Sequence, residues 1–261
     1  MIKIENVSFA YSDKSPLFEN LSFSIERGQI LAVMGSNGIG KTTLIKCIMG
    51  FLGFQKGKVF IGEDEKTSGF SDSLFWTKVG YVPQAKKNVF GYKVREMVVM
   101  GRNAFVGFGR TPSKADYACA DEALDRLGIA ALRDKSCNQL SGGQLQMVLI
   151  ARALVKNPDI LIMDEPESNL DMRNQMRVLD TVEKLAHEDK KAVLFNTHFP
   201  ANALKISDKA LFMGLKKYLF GDSAAIITEK NIRDFFHIDC SILDVPFANG
   251  SVRGIVPLAA I

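Results

Sequence analysis

Residues Gly35–Thr43 read Gly-Ser-Asn-Gly-Ile-Gly-Lys-Thr-Thr and fit the phosphate-binding pattern G-x-x-x-x-G-K-[ST], with Gly35, Gly40, Lys41 and Thr42 at its fixed places. The preceding run Ile30-Leu31-Ala32-Val33-Met34 is wholly apolar, as a strand buried on both faces requires. The following Thr43–Met49 has the composition of a helix, with Gly50 placed to stop it. In such a strand–turn–helix, glycines let backbone N–H groups close around phosphate oxygens, and the helix N-terminus favours negative charge. Lys41 adds a formal positive charge. Gly35, Ser36, Asn37, Gly38, Ile39, Gly40, Lys41, Thr42 and Thr43 are therefore candidate contacts to a nucleoside triphosphate. A glycine turn beside a surface lysine is the plain alternative.

With 261 residues and 47% hydrophobic content, the chain is long enough for one large domain or two closely joined ones. No stretch approaches the 18 uninterrupted apolar residues of a membrane span. The start, Met1-Ile2-Lys3-Ile4-Glu5, puts an acid where a secretory leader needs apolar residues, so no leader is expected. A net charge of +4, with Lys and Arg scattered, argues against nucleic acid as a partner. Cys47, Cys119, Cys137 and Cys240 form no C-x-x-C pair and suit reduced thiols.

Strict or near alternation in Ile2–Phe9 and Leu21–Ile25 predicts a half-buried antiparallel layer. Gly57–Gly62 is read as a further strand, the segment from there to about Phe75 as loop, and Val79–Gln84 as a strand ended by Pro83. Between 85 and about 140 only helical patterns occur: one helix over Val94–Gly101 and one opened by Ser113-Lys114-Ala115-Asp116 and ended by Gly128. Beyond Leu140, a helix over Gly143–Val155 precedes three apolar runs, Ile160–Met163, Ala192–Asn196 and Ala210–Met213. A long helix between the first two has Met172, Met176, Leu179, Val182 and Leu185 on its apolar face. Buried strands alternating with helices predict an α/β fold with a mainly parallel sheet, whose ligands gather at the strands' carboxyl ends. An antiparallel N-terminal β layer and an inserted helical subdomain complete the expected architecture.

Two further clusters carry chemistry. Asp164 and Glu165 follow the strand Ile160–Met163, at the expected ligand edge. There Asp164 can hold Mg²⁺, with the Thr42 hydroxyl as a second ligand, and Glu165 can orient or deprotonate a water. Two solvated acids at a strand end would be the bland reading. Leu140-Ser141-Gly142-Gly143-Gln144 places two glycines after a serine at a helix start, a second anion-binding terminus within one chain.

Taken in order, Tyr11, Gly35–Thr43, Gln84, Leu140–Gln144, Ile160–Glu165, Ser168-Asn169-Leu170-Asp171 and Thr197-His198 resemble the ATPase subunit of an ATP-binding-cassette (ABC) transporter over roughly residues 1–215. The resemblance implies that Tyr11 stacks on adenine and that Gln84 touches Mg²⁺ and senses nucleotide. Ser141, Gly142, Gly143 and Gln144 then face the γ-phosphate bound to a partner copy. Asp171 links the two sites, and His198 contacts the γ-phosphate and positions the water. Lys41, Gln84, Glu165 and His198 are the implied catalytic set, and Thr42, Gln84 and Asp164 the implied Mg²⁺ ligands. A packed loop tyrosine, a strand-end amide and a core histidine are the ordinary readings of Tyr11, Gln84 and His198.

A head-to-tail homodimer with ATP between the copies is further implied, acting on a separate membrane permease that docks on residues 85–139 and, indirectly, on a solute-binding protein. So is a peripheral location at the cytoplasmic membrane face. The domain reading is a single cassette: core 1–84 and 145–215, helical subdomain 85–144, C-terminal extension 216–261. Val94–Arg102 and Phe235–Asp239 resemble segments of importer ATPases serving iron–siderophore, haem and cobalamin chelates, although the second also reads as a plain amphipathic helix. Glu167 replaces the family's usual threonine, Phe199-Pro200 its aspartate, and Gly214–Lys217 its Asp-Gly turn. A soluble non-transport ABC ATPase, such as an iron–sulfur cluster assembly factor, or an exporter ATPase would carry the same catalytic residues. Residues 241–261 match no known pattern.

Overall fold

The computed structural model describes residues 1–12, 16–62, 64–66, 73–85, 91–106, 109–247 and 250–261. In chain order the elements are β1 (Ile2–Phe9), β2 (Phe18–Ile25), β3 (Ile30–Met34), α1 (Lys41–Ile48), β4 (Lys56–Ile61) and β5 (Asp64–Lys66). There follow α2 (Ser73–Lys78), β6 (Val79–Val82), α3 (Val94–Val99), α4 (Asn103–Val106), α5 (Lys114–Arg126), α6 (Gly142–Leu154), β7 (Ile160–Asp164) and α7 (Met172–His187). The last are β8 (Ala192–Thr197), α8 (Pro200–Ile206), β9 (Lys209–Gly214), β10 (Lys217–Asp222), α9 (Ser223–Ile226), α10 (Glu229–Phe236), β11 (Ile238–Phe247) and β12 (Gly250–Ala260). They form two compact units, Met1–Phe70 with Ala192–Ile261, and Ser71–Lys191.

In the first unit, β2, β1, β4 and β5 form the antiparallel layer foreseen from the alternation. Ile2, Ile4, Leu21, Phe23 and Ile25 point inward, and the residues between them are more exposed. Strand β3 is buried at every position and pairs in parallel with both β8 and β9, while β10 adds antiparallel to β9. A continuous apolar run lies between two neighbours and under covering layers, so it needs no polar face. Helix α1 ends as expected: Gly50 takes φ 77° and donates to the Cys47 carbonyl, and Phe51 donates to that of Lys46.

The second unit holds the parallel pair β6–β7 and the chain's longest helices. Ser113 and Asp116 form a reciprocal capping box at the start of α5, and Asp116 is further paired to Arg102. The hydrogen bonds from Ser113, then from Arg102, hold the Asp116 carboxyl down at about 2.

Four expectations need correction, and one segment that matched no pattern acquires a structure. The segment read as loop up to Phe75 contains β5 and α2; its polar composition hid a short edge strand and a helix of six residues. The helix expected over Val94–Gly101 stops at Val99, tightens into a 3₁₀ turn over Met100–Arg102 and resumes as α4. Gly101 is the physical reason for the close packing there: a Cβ would lie 2.0 Å from the Arg152 carbonyl oxygen. Met172 and Met176 are not on the buried face of α7; they are 81% and 38% exposed, and the face is Val178, Leu179, Val182, Leu185 and Ala186. Lys217 begins a strand, β10, because the turn before it is only Leu215-Lys216, with Lys216 at φ 56°. The tail is a β-hairpin, β11–β12.

Candidate functional site

Within the first unit, Met34 of β3 pairs with Thr197 of the parallel strand β8. The glycine loop and His198 therefore leave neighbouring strands at the same carboxyl edge, where ligands of open α/β sheets collect. The loop is tightly built. Gly35 takes φ 151°, and a Cβ there would come within 2.4 Å of the Met213 carbonyl oxygen. The Lys41 ammonium, 5% exposed as a residue, folds back to donate to the Gly35 carbonyl at 2.7 Å and the Ser36 carbonyl at 3.2 Å. The Ser36 hydroxyl donates to the Phe235 carbonyl, so the C-terminal helix α10 braces the loop. Tyr11 is 67% exposed and stands over this loop, its hydroxyl 2.9 Å from that of Thr43 and its ring edge-on to Phe9 at 4.9 Å. An exposed aromatic face held beside a phosphate loop suits stacking on a nucleobase. His198 packs on Phe199 at 3.9 Å between ring centroids, and Pro200 opens α8 in its first turn, where its missing N–H costs nothing.

Within the second unit, Val82 pairs with Met163 of the parallel strand β7, so Gln84 and the pair Asp164–Glu165 also leave neighbouring carboxyl ends. Gln84 Nε2 donates to Glu165 Oε2 at 3.4 Å, and the Ser168 hydroxyl donates to the same oxygen at 3.1 Å. Glu165 is held at φ 47°, a conformation costly for a non-glycine residue and stabilised by the Ser168 N–H on its carbonyl. A carboxylate fixed by two donors and a strained backbone is aimed, not merely solvated. Asp164 accepts a hydrogen bond from Tyr81, whose phenol is pushed up to about 12, first by burial and then by this carboxylate. Glu167, which departs from the family pattern, is wholly buried.

The Ser141–Gln144 turn caps α6 through a reciprocal box: the Ser141 hydroxyl accepts from the Gln144 N–H at 3.3 Å, and the Gln144 carboxamide accepts from the Ser141 N–H at 3.1 Å. Asp171 caps α7, accepting from the Asn174 N–H at 2.8 Å and from its side-chain amide at 2.7 Å. These bonds from Asn174 hold the Asp171 carboxyl below the usual range. Gly143 joins the two caps, since a Cβ on it would lie 2.3 Å from Asn174 Cγ. Gly143→Ala must therefore expel Asn174 from Asp171. We expect it to lower ATP turnover at least about tenfold with nucleotide affinity of the monomer unchanged, as fluorescence titration alongside an ATPase assay would report.

The motif residues thus occupy two constellations: Tyr11, Gly35–Thr43 and His198 in one unit, and Gln84, Ser141–Gln144, Asp164, Glu165 and Asp171 in the other. Sequence reasoning missed Tyr81 and gave Ser168 no role toward Glu165. The only available signal for Tyr81 was its place in the strand before Gln84.

Residues 18–168 match the family model described as ABC transporter. The chain belongs to the ABC transporter family. It is similar to the molybdate import ATP-binding protein MolC of Haemophilus influenzae, at 33% identity over 98% of this chain and 96% of that protein. Its structure resembles an inward-facing transporter described as being of the metal-chelate type, with a TM-score of 0.88, 32% identity and coverage of 99% of this chain and 97% of the other. A dimeric cassette, MJ0796, bound to ADP and Pi, superposes with a TM-score of 0.71 at 26% identity, over 84% of this chain and 98% of that one. The chain is accordingly an ATP-binding, ATP-hydrolysing subunit of an ABC transporter. Subunits of this family dimerise and work with membrane permeases from the cytoplasmic face. Among the described residues no helix is long and apolar enough to cross a membrane.

Proposed function

We propose that this subunit powers import of a metal chelate through a separate permease. The observation that carries its ATP-driven part is the arrangement at each unit's carboxyl edge: in the first, a cation-bearing glycine loop beside His198, and in the second, Glu165 fixed between Gln84 and Ser168. Two copies arranged head to tail bring the Gly35–Thr43 loop of one against Ser141–Gln144 of the other, with ATP between them. ATP contacting both copies only when they are closed drives closure by mass action.

In this arrangement the loop N–H groups and Lys41 hold the β- and γ-phosphates, and Tyr11 stacks on the base. Gly142 and Gly143 present backbone N–H groups to the γ-phosphate across the interface. Glu165 takes a proton from the attacking water that His198 and Gln84 position. The Thr42 hydroxyl, the Gln84 amide oxygen and the Asp164 carboxylate are hard oxygen donors of the kind Mg²⁺ takes with nucleotide phosphates. Bound there, Mg²⁺ supplies charge neutralisation at the phosphoryl oxygens. Asp171 couples the two composite sites.

The helical part of the second unit, residues 85–144 in the domain reading, offers 85–139 to the permease; residues 86–90 and 107–108 of that surface lie outside the described residues. The chelate assignment rests on the Val94–Arg102 and Phe235–Asp239 resemblances and on likeness to the metal-chelate type transporter. The 33% identity to MolC along nearly the whole chain favours a second reading, import of an oxyanion such as molybdate. Affinity purification from native membranes distinguishes transport from the soluble alternatives. The expected result is co-purification of a polytopic membrane protein and, in vesicles containing both, ATP-dependent uptake; recovery only in soluble complexes would refute the proposal.

A further inference from the structure

Every buried residue of α6 is apolar or glycine except Gln146, which is 1% exposed. A buried amide costs stability unless its polar atoms are bonded, and a methionine would fill the same space without that cost. Gln146 meets half of the requirement. Its Oε1 accepts from the Ala85 N–H at 3.1 Å. Because that partner is a backbone donor, the accepting atom has to be the oxygen, and the orientation of the amide is fixed. Nε2, on the other side of the amide, is buried with no hydrogen-bond partner among the described residues. What the buried amide secures is therefore one bond, the one to Ala85. Ala85 directly follows Gln84, and the register of β6 with β7 ends at Val82, so both lie beyond the sheet's own pairing. Gln84 Nε2 reaches Glu165 Oε2 at 3.4 Å, a long bond that a small swing of the chain would break. All of these residues belong to one compact unit.

We propose that Gln146 is a positioning residue for hydrolysis. By holding the Ala85 N–H it sets the direction in which the chain leaves Gln84, and so keeps the Gln84 amide beside Glu165 and the attacking water. This role rests on the catalytic place given to Gln84 in the preceding section. It also makes α6 a direct link between the two composite sites. The first turn of the helix, capped by Ser141, meets the nucleotide of the partner copy. The following turn grips the segment that acts in the chain's own site. A movement of α6 as the copies close is thus felt at Gln84 through a single hydrogen bond.

A double-mutant cycle in the full chain tests this, with kcat, ATP affinity and melting temperature measured for Gln146→Met, Gln84→Ala and the two together. Gln146→Met keeps the volume of the side chain and removes the acceptor. It is expected to lower kcat about tenfold with ATP affinity unchanged. The melting temperature should be no lower than the parent's, since an amide with an unused donor leaves the interior and the half-buried Ala85 can turn its N–H to water. Gln84→Ala is expected to lower kcat at least as much. If Gln146 acts through Gln84, the double variant is no slower than Gln84→Ala, whereas independent losses would multiply to about 100-fold or more. Parent-like kcat in Gln146→Met overturns the proposal. So does a multiplied loss in the double variant, which would leave Gln146 a packing residue of α6. Parent-like kcat in Gln84→Ala removes Gln84 from the reaction and this role with it, a failure distinct from the other two.

Discussion

Glu165→Gln is expected to lower kcat by at least about 100-fold while ATP still binds and drives dimerisation. The substitution keeps the shape of the side chain and one carbonyl-type oxygen, so the Ser168 hydroxyl at 3.1 Å retains an acceptor. What is lost is the basic oxygen that can take a proton from water. The backbone at φ 47° is as accessible to Gln as to Glu, so the local fold gives no reason for a binding defect. Parallel measurement of nucleotide affinity, dimer mass and phosphate release separates the outcomes. Turnover within a few-fold of the parent would remove Glu165 from the chemistry and leave it a cap for the turn that follows β7.

Lys41→Met is expected to weaken ATP binding at least about tenfold and to reduce hydrolysis by about 100-fold or more. A methionine fills the volume of the lysine stem but withdraws the one formal charge that the Gly35–Thr43 loop brings to the phosphates. In the observed structure that ammonium is turned in on the Gly35 and Ser36 carbonyls, where it holds the loop in shape. It is available to the phosphates at little cost, because phosphate oxygens are stronger acceptors than the carbonyls it would release. Isothermal titration and single-turnover hydrolysis read the two effects separately. Unaltered affinity for ATP would mean that backbone N–H groups alone carry phosphate binding.

The parts legible in the sequence are those where one local pattern has one physical solution. An apolar run of five followed by a glycine loop and a helix has to be a buried strand delivering a phosphate site, and β3 and α1 are that. Ser113, three residues before Asp116, opens and caps its helix as read, and Ser141 caps α6 in the same way. The failures arise where tertiary cover decides. Spacing puts Met172 and Met176 on the same stripe as Leu179, but nothing local says where along α7 the cover begins. The hairpin was invisible because Pro246 and Pro257 interrupt its strands and neither strand alternates cleanly in polarity. Tyr81 and Ser168 gain meaning only from the register of β6 against β7 and from the turn after Glu165.

The central claim is that each hydrolytic site is shared, the glycine loop coming from one copy and Ser141–Gln144 from another. Mixing chains that are separately inactive tests it most directly. A Lys41→Met chain has an intact Ser141–Gln144 turn, and a Gly143→Ala chain has an intact loop. In a head-to-tail heterodimer the two sound halves meet in one site and the two damaged halves in the other. Equimolar mixing should restore ATP hydrolysis, with about a quarter of the sites of the unmodified protein intact. A mixture no more active than the sum of its separate chains would contradict the shared site.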